Sequence, residues 1–190
     1  KVLKTQHLLI IAKINGVRLK GLQLGQAKGG IYMPNIVLTR IDERLIHGQV
    51  ATQWSGVVGA NLLLVANDKV ATDTFRQGLM DMAAPSYAQT RYWTIEKTIN
   101  TIHKAADRQM IFIICDNPHD VLKLVEGGVP IKKVNIGKMH MAEGKRQVAT
   151  SVAVNDADVA AFKKLMDLGV ELEIKRVPDT PAESIDKLSK

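Results

Sequence analysis

The chain has one cysteine and no long apolar run, and each scarcity excludes a class of protein. Cys115 alone cannot form a disulfide within the chain, which fits a reducing cytosol. No apolar stretch approaches the roughly 20 residues that a membrane-spanning helix needs. The apolar run at 8–11 is too short for the core of a secretory signal, and no small-residue cleavage site follows it. We therefore expect a soluble protein that does not insert directly into a membrane.

Nucleotide and nucleic-acid signatures are missing as well. No Gly-x-Gly-x-x-Gly follows the first predicted strand, and Gly127-Gly128 lacks the Lys-Ser/Thr that completes a P-loop. The formal net charge is +7, but residues 1–32 hold six basic residues and no acidic one. Taking those six from the total of 26 leaves 20 basic against 19 acidic residues in the remainder. Since no basic stripe is evident there, we expect no nucleic-acid partner.

The first 32 residues differ from the rest of the chain. Residues 8–14 and 17–24 flank Asn15-Gly16, a strong hairpin signal, and residues 25–30 have the composition of a linker. We interpret residues 1–32 as an N-terminal extension outside the functional unit, which then spans residues 33–190. The alternative is a genuine hairpin that adds to a sheet edge or to a neighbouring subunit.

From residue 36 onward, strand patterns alternate with helix patterns. Predicted strands cover residues 36–41, 61–66, 91–94, 110–115, 133–136, 147–154 and 170–177. The first predicted helix covers residues 48–58, and the second begins at the caps Asn67 and Asp68 and ends near 83. The third covers 95–106, and the fourth runs from Asn117-Pro118 to Gly127-Gly128. The fifth covers 156–168 and is capped by Asn155. This alternation predicts a three-layer α/β/α fold with a mostly parallel, doubly wound central sheet of about six or seven strands.

The densest group of reactive side chains is RIDERLIHGQ at residues 40–49, between the first strand and the first helix. Ligands bind at such turns in open α/β sheets. Arg40 and Arg44 can clamp a phosphoryl group with planar bidentate donors. The helix start at Gly48 and Gln49 offers backbone N–H groups to the same anion.

His47 in that setting is a candidate phosphoryl carrier, because neutral imidazole is available near pH 7 and attacks phosphorus. Asp42 can orient the ring by accepting a hydrogen bond from one nitrogen, which leaves the other free to attack. Residue spacing alone keeps two alternatives open. His47 is then an ordinary loop histidine, and Arg40 and Arg44 form solvated ion pairs with Asp42 and Glu43.

Other polar residues are expected at the same edge of the sheet. The candidates for lining the site are Asn67, Asp68, Gly137, Lys138 and His140, with the last three placed in a loop at 137–145. Asp116, His119 and Asp120 suggest a metal site, but helix capping explains them better and no second group of ligands is apparent. We expect no metal.

The run RIDERLIHGQVATQW at residues 40–54 closely resembles the active-site segment of IIB subunits in mannose/sorbose-family sugar phosphotransferase systems. The similarity continues through VANDKVATD, PHDVLKLVEGGV, VNIGKMH and AFKKLMDLGVELEI, and covers residue 33 to about 177. The segment GKMHMAEGK at 137–145 is more similar to the N-acetylgalactosamine branch than to the mannose branch.

The resemblance implies a cytoplasmic phosphotransferase subunit, held at the inner face of the membrane through subunits IIC and IID. Its histidine, His47 here, would accept a phosphoryl group on Nδ1 from phosphorylated IIA and pass it to a sugar that IIC and IID deliver. Arg40 and Arg44 would hold that group, and Asp42, Gly48 and Gln49 also match the family pattern. No cofactor is implied beyond the covalent phosphohistidine, and self-association is a further expectation.

Two rival functions remain at this point. One is a regulatory domain that binds an anion or nucleotide in the Arg40/Arg44 pocket without covalent chemistry. The other is a structural partner protein, in which His47 would be dispensable.

Overall fold

Eight strands and five helices follow one another along residues 33–188, which are the residues that the computed structural model describes. The strands are β1 Ile36–Asp42, β2 Leu62–Ala66, β3 Gln89–Trp93, β4 Ile111–Cys115, β5 Lys133–Lys138, β6 Arg146–Ala149, β7 Val152–Val154 and β8 Glu171–Ile174. The helices are α1 Ser55–Val57, α2 Thr74–Ala83, α3 Ile95–Thr101, α4 Pro118–Glu126 and α5 Asp156–Asp167. A π-helical segment, Gln49–Trp54, leads directly into α1. The hairpin and linker predicted for residues 1–32 lie outside the described residues.

Six strands form one parallel sheet in the order β3-β2-β4-β1-β5-β8. Every residue of β2 and β4 is buried, as expected for parallel strands that are covered on both faces. The antiparallel pair β6-β7 extends this sheet locally, because Ala153 donates its N–H to the carbonyl of Met139 just beyond β5. The predicted α/β architecture is confirmed.

Helices cover both faces of the sheet. On one face, Leu124 of α4 and Phe162 of α5 lie in a core cluster that also includes residues of α3. On the other face, Trp54 of the π-helical segment and Met80 of α2 share a second cluster. These two clusters give the three predicted layers. Along residues 33–188, no helix is both long and apolar enough to cross a bilayer.

The site is positioned by the way the chain leaves β1 and β5. The connection from β1 runs towards β2 and β3, whereas the connection from β5 runs to β8 at the opposite edge. Neighbouring parallel strands whose connections diverge in this way leave a crevice beyond their carboxyl ends, where ligands bind. In this sheet the crevice lies between Asp42 and Lys138, which are register partners.

Two predicted caps act on other segments. The side chain of Asn67 caps the short turn Val70–Thr72, and that of Asp68 accepts from the N–H of Ile95 at the start of α3. Helix α2 is instead capped by Asp73. The reason is the inserted turn, which moves the start of α2 away from the end of β2.

The predicted strand at 147–154 is wrong, because the chain reverses at Thr150-Ser151 to form β6 and β7. Each arm is only four or three residues long, and the turn lacks the glycine or asparagine that predicts a hairpin. The predicted loop at 137–145 begins two residues too early, because Gly137 and Lys138 are the last two residues of β5.

A capping box at the start of α5 yields a stability prediction. Asn155 accepts from the N–H of Asp158, whose carboxylate accepts from the N–H of Asn155. We expect Asn155→Ala to lower the free energy of unfolding by about 1 kcal/mol, measured by urea denaturation. Asn100→Ala, on an exposed position within α3, is the matched control and should cost nothing. Equal losses in both variants would contradict the capping role.

Candidate functional site

The carboxylate of Asp42, the last residue of β1, connects the site residues. Its Oδ2 accepts hydrogen bonds from Arg40 Nη2 at 3.0 Å and from His47 Nε2 at 3.2 Å. Its Oδ1 accepts from Arg44, through the backbone N–H at 3.2 Å and through Nε at 3.3 Å. The side chain of Asp42 has no exposed surface, so these four donors replace water around a buried charge.

The electrostatics of Asp42 determine which nitrogen of His47 carries the proton. Burial alone would raise the pKa of Asp42, but the hydrogen bond from His47, the charge of Arg40 and the hydrogen bond from Arg44 lower this pKa to about 2. The ionised carboxylate can only accept, so Nε2 of His47 donates, and in the neutral form of the ring Nδ1 is then the nitrogen without a proton. Among the described residues, Nδ1 has no hydrogen-bond partner, and 19% of the side chain is exposed.

The guanidinium of Arg40 is engaged by acceptors of the protein itself. The guanidinium is fully buried and bonds to Asn135 Oδ1, to the carbonyl of Lys175 at 3.0 Å and to that of Arg176 at 3.2 Å. The ring of Trp54 covers it at 5.1 Å from its centroid. The position of Arg40 in the central strand β1 places its guanidinium beneath the helical layer, and the phosphoryl-clamping role of Arg40 stays a prediction. Burial disfavours the charged form of the guanidinium and so lowers the pKa of Arg40.

Gly137 makes room for the buried guanidinium. A Cβ built at this position would overlap the guanidinium carbon and both terminal nitrogens of Arg40. Any side chain on Gly137 would therefore displace Arg40, and the absence of one is a structural requirement of the site.

The turn after β1 brings His47 back onto Asp42. Leu45 has a φ of 58°, in the left-handed region that costs a non-glycine residue about 1 kcal/mol. Its N–H donates to the carbonyl of Asp42 at 2.8 Å and its side chain is fully buried. These interactions hold the strained turn in place, so the imidazole is presented by a fixed backbone.

A π-helical segment follows His47 where the sequence predicted an α-helix over 48–58. The hydroxyls of Thr52 and Ser55 bond to the carbonyls of Gly48 and Ala51, each four residues earlier. Such bonds compete with the α-helical pattern, and the wider helix is the result. This segment ends at Trp54, whose indole Nε1 donates to the carbonyl of Arg176 at 3.2 Å.

The other candidate lining residues divide into two groups. His140 is close to the site, because its Nδ1 contacts the carboxylate of Glu43. Lys138 is close as well, because its backbone carbonyl accepts a hydrogen bond from the N–H of Glu43 at 3.2 Å. Asn67 and Asp68 act as caps and lie just after β2. Strand β4 lies between β2 and β1, so β2 is two strand spacings, or about 10 Å, from the strand that carries Asp42. They are not brought to His47. In the described part of the chain, no three His, Cys, Asp or Glu side chains are grouped to hold a metal ion.

Asn135, Trp54 and Leu45 are site residues that the sequence analysis missed. Only Asn135 left a signal, as a polar residue inside an otherwise apolar strand. The arrangement of the site supplies an oriented, partly exposed imidazole nucleophile with a cation, Arg44, beside it whose side chain is 37% exposed. Nucleophilic transfer of an anionic group is the chemistry that this geometry supports.

Comparison with known proteins identifies the family. A model of the sorbose subfamily IIB component of the sugar phosphotransferase system (PTS) matches residues 36–190. The chain belongs to this family. PTS IIB components are phosphotransferases of sugar uptake.

Individual relatives agree in sequence and in fold. N-acetylgalactosamine-specific IIB component 2 of Escherichia coli is 54% identical over 156 residues, which span 82% of this chain and 99% of that protein. The crystal structure of N-acetylgalactosamine-specific IIB component 1 from E. coli matches this chain with a TM-score of 0.77 at 49% identity. The match covers 80% of this chain and 99% of that one. The mannose-specific EIIAB component of E. coli is 42% identical, over 82% of this chain and 49% of that protein.

The lowered pKa of Asp42 predicts a loss of stability in acid. The pKa of Asp42 is lower in the folded than in the unfolded chain. The contribution of ionised Asp42 to the free energy of unfolding is therefore complete above about pH 4 and is lost as the pH falls towards 2. It amounts to about 2 kcal/mol. In Asp42→Asn, the neutral amide leaves Arg40 unpaired, so we expect a loss of about 3–5 kcal/mol at neutral pH.

Urea unfolding of both proteins from pH 7 to pH 2 tests this expectation. The difference between wild type and Asp42→Asn should narrow by about 2 kcal/mol between pH 4 and pH 2. For Asp156→Asn, whose side chain is fully exposed, the difference should stay small throughout. A constant difference for Asp42→Asn would contradict the assignment.

The close approach of Gly137 to Arg40 gives a second prediction for the site. Gly137→Ala should lower the free energy of unfolding by about 1–3 kcal/mol, because the added carbon must push the buried guanidinium of Arg40 away from its acceptors. Gly78→Ala, in α2 with no atom near the added carbon, should instead be neutral or stabilising. Thermal and urea denaturation measure the stability of the two variants. An unchanged free energy of unfolding in Gly137→Ala would show that the site tolerates a side chain at this position.

Proposed function

We propose that this chain is the phosphoryl carrier of a sugar phosphotransferase system, with His47 as acceptor and donor. The observation that carries the proposal is the bond from Nε2 of His47 to the buried carboxylate of Asp42, while Nδ1 has no partner among the side chains that the structure describes. The chain would take the phosphoryl group from a phosphohistidine of IIA and give it to a sugar at the membrane subunits IIC and IID. No cofactor takes part.

The transfer is balanced without any further reactant. The lone pair of Nδ1 attacks phosphorus while the nitrogen–phosphorus bond of the donor histidine breaks and its electron pair returns to that ring. The proton on Nε2 stays in its bond to Asp42, whose negative charge stabilises the positive charge that the ring gains. In the second transfer, a sugar hydroxyl oxygen replaces Nδ1 on phosphorus and the hydroxyl proton leaves to a base at the acceptor site.

Charge on the transferred group would be stabilised by groups on the exposed side of the site. The guanidinium of Arg44 remains partly exposed while its Nε bonds to Asp42. Gly48 and Gln49 stand at the start of the π-helical segment, where the first backbone N–H groups of a helix have no partner within it and can bond to an anion. Stabilisation of this kind supplies most of the catalysis in phosphoryl transfer.

The names of the relatives support the proposed partners and substrate. The E. coli mannose relative is an EIIAB component, so an A and a B unit belong to one protein there. We propose N-acetylgalactosamine as the sugar, on the 54% identity to an N-acetylgalactosamine-specific component. A carrier in these roles would work in the cytoplasm, at the inner face of the membrane.

The regulatory alternative has less support, because it requires both guanidinium groups in one pocket. Arg40 is fully buried and committed to protein acceptors, which leaves Arg44 alone. No described feature favours a purely structural role over the carrier role.

Transfer of label from phosphorylated IIA tests the carrier role. Wild type should acquire one acid-labile, base-stable phosphoryl group, located on Nδ1 of His47 by NMR and mass spectrometry. His47→Gln should acquire none, because it lacks the nucleophile. His103→Gln, at an exposed position in the turn Ile102–Lys104, is the matched control and should be labelled as wild type. Efficient labelling of His47→Gln would overturn the proposal, and saturable binding of inorganic phosphate without label would favour the regulatory alternative.

A further inference from the structure

We infer that Arg40 is a positioning residue that directs phosphoryl transfer to Nδ1 of His47, acting through Asp42 without touching the phosphoryl group. The inference rests on the proposed carrier role of His47. In this arrangement Arg40 acts on the ring nitrogens of His47, whereas Arg44 remains the arginine that can reach the phosphoryl group.

The hydrogen bonds connect Arg40 to the imidazole through a single atom. Oδ2 of Asp42 accepts from Arg40 Nη2 on one side and from His47 Nε2 on the other. The guanidinium cannot swing towards a phosphoryl group on Nδ1, because the ring of Trp54 covers it and Asn135 and two carbonyls hold it. Its effect on the reaction must pass through the carboxylate.

The charges around Asp42 make Arg40 the principal buried counter-charge. The charged and titratable groups facing this carboxylate are Arg40 from β1 itself and Arg44 and His47 from the following loop, with Lys138 opposite in the register of β5. Arg40 alone is fully buried, whereas the Arg44 side chain is 37% exposed and its charge is screened by solvent. Without Arg40, the effect of burial on the pKa of Asp42 would be opposed mainly by His47 and Arg44.

The consequence for His47 is a change of tautomer. An Asp42 carboxyl that has taken up one proton from solvent would donate it in a hydrogen bond to Nε2, which then accepts, and the single proton of the neutral ring would lie on Nδ1. That nitrogen has no lone pair available for phosphorus. With Asp42 ionised, Nε2 keeps the proton and Nδ1 keeps its lone pair. Arg40 therefore selects the reactive tautomer by holding the proton off Asp42.

The experiment uses the full chain in four variants: Arg40→Gln, Arg40→Lys, Arg44→Gln and, as a surface control, Arg108→Gln. The tautomer of His47 is measured from its imidazole ¹⁵N shifts between pH 5 and pH 9, without a phosphoryl donor. Rates of transfer from phosphorylated IIA are then measured over the same range. The chains are compared by circular dichroism to confirm that each is folded.

For Arg40→Gln we expect a substantial population of the Nδ1–H tautomer and a fall in kcat of roughly 10²- to 10⁴-fold, as for loss of an orienting carboxylate. The acid limb of the kcat profile should move to higher pH, while KM for phosphorylated IIA stays unchanged. Arg40→Lys keeps the charge and should restore the Nε2–H tautomer and part of the rate. Arg44→Gln should slow transfer with the tautomer unchanged, and Arg108→Gln should match wild type.

The inference is overturned if folded Arg40→Gln keeps the Nε2–H tautomer throughout, or if it raises KM with an unmoved pH profile. If Arg40→Gln does not fold, Gly137→Ala decides, because its added carbon displaces the guanidinium and retains the charge. A wild-type tautomer in folded Gly137→Ala would then refute the inference. The ¹⁵N measurement needs no phosphoryl transfer, so a failure of the carrier role, seen as labelling of His47→Gln, is recognised separately.

Discussion

The buried ion pair between Arg40 and Asp42 is the constraint on which the rest of the site depends. Removing two such charges from water costs several kcal/mol for each ion, and their attraction alone does not recover it. The surrounding elements provide the remainder: Asn135 of β5 and two carbonyls beyond β8 accept from the guanidinium, and Trp54 covers its face. Gly137 contributes only by having no side chain. Four separate parts of the chain are thus fixed relative to one another by one charge.

The same constraint explains why the site lies on a rigid turn. Leu45 in its left-handed conformation returns the chain towards β1, so that His47 can reach a carboxylate five residues earlier. The π-helical segment Gln49–Trp54 then carries the indole to the buried guanidinium. Strained backbone persists where the surroundings determine it, and here both irregularities border the same ion pair.

Sequence patterns predicted what depends on neighbouring residues. The apolar runs of β2 and β4 and the caps Asn117 and Asn155 act locally, and they were placed correctly. The interaction of His47 with Asp42 is also local, and the residue types suggested it. The burial of Arg40 was not predictable in this way, because its acceptors lie 95 to 136 residues further along the chain. An arginine near a histidine resembles a phosphate ligand until the partners from distant strands are known. The β6-β7 hairpin was not predicted, because its two strands are too short to show the alternation of polar and apolar residues that indicates a strand.

Nδ1 of His47, which has no partner within the described part of the chain, has a consequence for the order of events in the proposed carrier. With Nε2 held by Asp42, the proposed donor and acceptor would have to reach the same lone pair from the same side. Two proteins cannot occupy that approach together, so each visit has to end before the next begins. Turnover would follow a ping-pong sequence, in which each partner competes with the other for one docking position and the dissociation of the first limits the arrival of the second.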